Sequence, residues 1–138
     1  MHSIALRPEY QLAVDCARNR IFYQNFSEMR TAIALPHYRK DWLAALGEVQ
    51  PGFNILSDMQ VVNRHGNLLQ TEFQAVERLL VAHGVSVVAE IHVPGLPTRT
   101  SSDVVTTSKA MQVRQFLDIW EASHFLDGLH VTSSFLAA

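Results

Sequence analysis

Pro51-Gly52 breaks the chain directly before Phe53-Asn54-Ile55-Leu56, a short apolar run that stops at the polar pair Ser57-Asp58. The run lies between two segments with helical spacing and is too short to be a helix itself. That is the pattern of a buried strand in an α/β sheet. The helix before it is expected to start near Pro36, because proline is comfortable in a first helical turn. Tyr38, Trp42 and Ala45 or Leu46 form its apolar face, with Trp42 inward. The segment from Met29 to Leu35 has no assignable pattern.

Upstream, Tyr10, Leu12, Val14 and Cys16 alternate with Gln11, Ala13 and Asp15, the period of a half-buried strand. Asn19 suits the left-handed position of a turn, and Ile21-Phe22-Tyr23 opens the return strand of a hairpin. Downstream, Leu69, Phe73, Val76 and Leu80 repeat at helical spacing, with Glu72, Gln74, Glu77 and Arg78 mostly on the other faces. Gly84 is placed to cap this helix. Val85 to Val93 is rich in β-branched residues and predicts an inner strand.

Pro94 to Ser108 is rich in Pro, Gly, Ser and Thr, and long for a connection within one domain. It is expected to be the most mobile internal segment. Ala110, Val113, Leu117 and Trp120 predict a third helix, Ser123 to Leu126 a short edge strand, and Asp127 to Leu136 a closing helix. The sum is a single α/β domain over residues 1–138, an N-terminal β-hairpin followed by βα units. Its mixed sheet has about four to five strands, with about four helices.

Apolar residues make up 48% of the 138 residues and charged residues 17%, so the chain can bury a core without disulfides or metals. A formal net charge of −2 without a clustered cationic face argues against nucleic acid as a partner. Cys16 is the only cysteine and reads as a small buried hydrophobe. No apolar run approaches the ~20 residues of a membrane span, and Met1 to Arg20 has no secretory core. A cytoplasmic protein is the expectation.

The order of elements and several landmarks resemble the STAS-like family, relatives of bacterial anti-sigma-factor antagonists, and within it a branch of short stand-alone proteins. The residues that carry the resemblance are Asn19-Arg20-Ile21-Phe22, Pro36, Tyr38, Asp41, Trp42, Pro51-Gly52-Phe53, Leu56, Ser57, Asp58 and a final helix with Phe125. It spans most of the chain from about Tyr10, and it implies an α/β sandwich serving as a regulatory, protein-binding module. The family's phosphorylated Ser belongs at the start of the helix after the central strand. Here that place reads Asn63-Arg64-His65-Gly66-Asn67, without a hydroxyl, so the phospho-switch does not carry over. The branch's likeness to lipid-transfer folds implies a nonpolar ligand.

Ligands of α/β sheets collect outside the carboxyl ends of parallel strands. Those ends supply Ser57, Asp58 and His92, with Glu90 on the same side as His92. Arg64, His65 and Arg99 reach toward the same crevice, and Trp120 belongs to the helix expected to roof it. A Ser/His/Asp set can be drawn from these residues, but there is no Gly-X-Ser-X-Gly elbow. The seven histidines show no metal-ligand spacing, and no glycine cradle for a nucleotide is present. No cofactor is expected.

The leading expectation is a non-enzymatic interaction module that binds a protein partner or itself, as a homodimer. The alternative is a carrier of a small nonpolar ligand, held under the Ala110–Trp120 helix and gated by the 94–108 loop. An esterase-like hydrolase is the third. A closed cavity of ~300 Å³ or more would favour the carrier, and tightly packed aromatics the interaction module.

Overall fold

In a computed structural model of the chain, residues 1–94 and 111–137 are described, with side chains up to Leu129. The expected 94–108 loop, together with Arg99, falls almost entirely outside them. Among the described residues nine strands and α-helices follow one another: β1 (His2–Leu6), β2 (Tyr10–Asp15), β3 (Arg20–Asn25), α1 (Tyr38–Leu46), β4 (Asn54–Asp58), α2 (Gly66–Ala82), β5 (Val87–Ile91), β6 (Gln112–Phe116) and α3 (Ile119–Ala137). A short 3-10 helix, Ser27–Thr31, runs into the start of the Met29–Leu35 segment whose sequence has no clear pattern.

The strands form one six-stranded sheet in the order β1-β2-β3-β4-β5-β6. The β1/β2 and β2/β3 pairs are antiparallel, and every later pair is parallel. The α/β reading and the N-terminal hairpin therefore hold, with six strands and three α-helices among the described residues against the four to five strands and four helices expected. Asn19, at the hairpin turn, has φ 52°. Its side chain exchanges two hydrogen bonds with the backbone of Gln50, at 2.8 and 3.1 Å. The turn is thereby tied to the end of the α1 connection.

Alternation on each strand assigns the two faces. Leu12, Val14, Ile21, Tyr23, Ile55 and Val88 pack with Trp42, Ala45, Leu46, Leu69, Val76 and Leu80, so α1 and α2 cover one face. Leu56, Val87, Ala89 and Ile91 pack against Ala122 and Leu126 of α3 on the other. At the end of α2, Gly84 has φ +86° and accepts from Gly52 N at 2.7 Å. This left-handed cap joins the helix end to the Pro51-Gly52 break.

Several expectations are corrected. In place of the expected third helix, Gln112–Phe116 is β6, paired in parallel with β5, and Trp120 already belongs to α3. All five residues of β5 are buried, and such a strand needs a hydrogen-bonded neighbour on both sides. The i, i+3 spacing of Val113 and Phe116 sends them to opposite faces of the sheet. Ser123 to Leu126 is not a strand but part of α3, whose first turn is capped by Asp118 Oδ1 accepting from Glu121 N at 2.8 Å. The first helix starts at Tyr38, two residues beyond Pro36. Cys16 is exposed at the hairpin turn, not buried.

Among the described residues no helix is long and apolar enough to cross a membrane.

Candidate functional site

The parallel strands place a row of side chains across the sheet, because residues in register on adjacent strands share a face. Tyr23 stands opposite Ser57, Ser57 opposite Glu90, and Glu90 opposite Gln115. One step nearer the strands' carboxyl ends on the same face lie Asn25, Met59 and His92. The row faces α1 and α2. Between them is a cavity of about 120 Å³, partly open to solvent.

Its floor is Tyr23, Asn25, Ile55, Ser57, Met59, Val88 and Glu90 from β3 to β5 and the residue after β4. Tyr38 and Trp42 of α1, and Phe73, Val76, Glu77 and Leu80 of α2, form the roof. Met59, Val62, Gly66 and Phe73 are its partly exposed members, which puts the opening beside the first turns of α2. The aromatic walls are mutually inclined: Tyr38 meets Phe73 at 71° and Tyr23 at 87°, while Trp42 lies 5.4 Å from Tyr23 between ring centroids.

Polar groups are few and mostly fixed. Tyr23 donates its hydroxyl to Asn25 Oδ1, and Asn25 Nδ2 donates to the Val61 carbonyl at 2.9 Å. Glu90 Oε1 lies 2.9 Å from His92 Nε2, with the two residues 2% and 5% exposed. Among the described residues the buried indole Nε1 of Trp42 has no hydrogen-bond partner. Trp42 and Tyr23 beside it favour the Tyr38 phenolate. Burial still dominates and pushes the Tyr38 pKa up to about 12. Burial, and then Tyr38 beside it, likewise drives Tyr23 well above the ordinary tyrosine range.

At the mouth, Asn63 brackets the loop into α2. Its Nδ2 donates to the Met29 and Ala32 carbonyls at 2.6 and 3.0 Å, and its Oδ1 accepts from His65 N at 2.7 Å. The stretch that would carry a switch hydroxyl by family resemblance is thus pinned by an amide.

Of the residues expected at the site, Ser57 lines the cavity and His92 is held at its edge through Glu90. Asp58 does not face that crevice. It alternates to the α3 face with Leu56, where it is buried and accepts from Gln60 N at 3.1 Å and Gln60 Nε2 at 3.2 Å. A local turn satisfies the carboxylate, so burial is tolerated. Arg64 and His65 are exposed outside the lining. Trp120, expected to roof the pocket, is 82% exposed in the first turn of α3, on the far side of the sheet. The cavity accordingly lies under α1 and α2, not under an Ala110–Trp120 helix.

Sequence reasoning missed Glu77, which is 5% exposed and lines the cavity. The signal was present: Glu77 follows Phe73 by four residues and precedes Leu80 by three, within the apolar stripe. It also missed the Asp118-x-x-Glu121 cap of α3, a legible helix start.

Among the described residues no group of three or more His, Cys, Asp or Glu side chains converges on a possible metal position. No family model, curated protein or solved structure matches this chain.

Proposed function

We propose that this chain is a non-enzymatic binding module that takes a small, largely apolar molecule into the cavity beneath α1 and α2. The observation that carries this reading is a cavity between the sheet and its two covering helices, with its partly exposed residues beside the first turns of α2. Its walls are aromatic and aliphatic with a few polar groups, the usual make-up of small-molecule sites. Its size narrows the occupant. A volume of about 120 Å³ is below the ~300 Å³ at which drug-sized sites begin. It is close to the ~150 Å³ that holds benzene. A molecule of about five or six non-hydrogen atoms, or the head of a longer one, fits; a lipid chain does not.

The non-enzymatic reading is supported by the arrangement at Ser57. A nucleophile and its base need a hydrogen bond between them. His92 Nε2 is engaged by Glu90 Oε1, and no hydrogen bond joins Ser57 to either among the described residues. A hairpin feeding parallel strands accords with a STAS-like regulatory role, and the exposed free thiol of Cys16 suits the reducing bacterial cytoplasm of that reading. Protein interaction, the leading expectation from the sequence, becomes the second reading, favoured by Leu117 and Trp120, which are 62% and 82% exposed around the start of α3.

Ligand-detected NMR with a set of molecules of about five to seven non-hydrogen atoms tests the cavity reading. Saturation transfer is expected for the parent chain and its loss in Val76→Phe, which fills the space from α2. Absence of transfer from every molecule, or unchanged transfer in a folded Val76→Phe, overturns it.

A further inference from the structure

Among the described residues, Nε1 of Trp42 is the one buried side-chain nitrogen or oxygen without a hydrogen-bond partner. Trp42 is 4% exposed and lines the cavity beneath α1 and α2. A buried indole N–H ordinarily finds an acceptor. Where only an aromatic wall is needed, Phe packs without a donor to satisfy.

The neighbouring phenols do not serve. Tyr23 lies 5.4 Å from Trp42 between ring centroids and gives its own proton to Asn25 Oδ1. Tyr38 lies 6.3 Å away and does not accept the N–H in hydrogen-bonding geometry. Against the dominant effect of burial, Trp42 favours the Tyr38 phenolate, as an N–H on the side of that hydroxyl does. Tyr23 and Tyr38 line the cavity as well, so the donor stands at its aromatic end.

Such a wall selects for an acceptor. A hydrocarbon leaves the N–H unpaired, whereas a ligand oxygen that takes it removes the cost of burying it bare. A ligand that displaces water from a polar wall keeps its affinity only by offering the same hydrogen bond in exchange. None of the described lining residues is Lys or Arg, and a charged oxygen buried without a cation beside it is costly. The fitting acceptor is therefore neutral. With about 120 Å³ available, the whole molecule has about six non-hydrogen atoms by comparison with benzene. Resting on the small-molecule reading, we propose that the occupant is a compact neutral molecule with one strong acceptor, a carbonyl or ether oxygen, that takes the Trp42 Nε1–H while its apolar part fills the cavity.

The test uses Trp120→Phe, which leaves Trp42 as the sole tryptophan of the original two, so that one indole N–H resonance reports on the donor. Cyclopentanone is expected to move it downfield saturably. Methylenecyclopentane, the hydrocarbon of the same shape with about six non-hydrogen atoms, is expected to bind without that shift. Trp42→Phe should weaken cyclopentanone about tenfold more than methylenecyclopentane; the cost of desolvating the carbonyl is common to both chains and cancels. If Trp42→Phe does not fold, the ketone-specific shift in Trp120→Phe decides alone. Equal weakening of the two ligands, or no shift particular to the ketone, overturns the acceptor proposal and leaves small-molecule binding standing. If neither compound saturates, both readings fall.

Discussion

Glu90 holds His92 through a 2.9 Å contact between Oε1 and Nε2, two residues apart on one face of β5 and the turn that follows it. Both are almost sealed from solvent, so removing one leaves a polar group stranded. Glu90→Ala is expected to destabilise the chain by about 1–3 kcal/mol, and Glu90→Gln by less. Denaturant midpoints measure both. A neutral Glu90→Ala would mean that water reaches and satisfies His92.

Asp58 should behave as a local turn residue. Its oxygens accept from the backbone and side chain of Gln60 and, at 3.3 Å, from Gln24 Nε2. Asp58→Ala is expected to cost about 1 kcal/mol. Asp58→Asn should cost less, because an amide oxygen can still accept from Gln60 N–H. Thermal melts of the two variants compare them directly.

Trp42 is 4% exposed and packs on Tyr23 and Tyr38. Trp42→Ala is expected to lose about 3–5 kcal/mol. Trp42→Phe should be far milder, because it also removes the indole N–H, which has no partner among the described residues. Equal losses in urea titrations of the two would mean that the indole N–H is satisfied in solution.

Stability should fall at both ends of the pH range, for different reasons. Burial alone would raise the Asp41 pKa, but hydrogen bonds from Arg7 and Tyr10, with the Arg7 charge, outweigh it and hold the carboxyl below its ordinary value. An unfolded Asp titrates near ~3.9. The contribution is therefore present above about pH 4 and lost as pH falls through the folded value; Asp41→Asn should flatten that limb.

The alkaline limb belongs to the three tyrosines, Tyr10, Tyr23 and Tyr38. Burial leads in raising all of them, with Asp41 adding to the effect at Tyr10. From about pH 10 upward the unfolded chain releases phenolic protons that the native state keeps, so stability declines as pH rises. Absorbance of tyrosinate should appear together with unfolding. A phenol titrating near pH 10 in the native chain would contradict the burial of the ring it belongs to.

The sequence was most legible where one local pattern served one buried face. The alternation of β2, the left-handed turn at Asn19, the run into β4 and the Gly84 cap are all of this kind. β1 escaped notice because only Ala5 of His2–Leu6 is buried and a register shift follows Ser3. β6 was misread because Ala110, Val113, Leu117 and Trp120 imitate helical spacing, whereas pairing with β5 decides the outcome. That long-range requirement has no local signature. Ser57 and His92 could be expected at the strand ends from periodicity alone. The cavity could not, since its place depends on α1 and α2 sharing one face while α3 takes the other.

The most direct test of the account maps binding residue by residue. Backbone amide shifts of the full chain are recorded while neutral molecules of about five or six non-hydrogen atoms are added. The account predicts saturable shifts centred on Ser57, Met59, Phe73, Glu77 and Glu90, around the cavity beneath α1 and α2. Shifts confined to Leu117, Trp120 and the rest of the α3 surface, or no saturable shift at all, would contradict it.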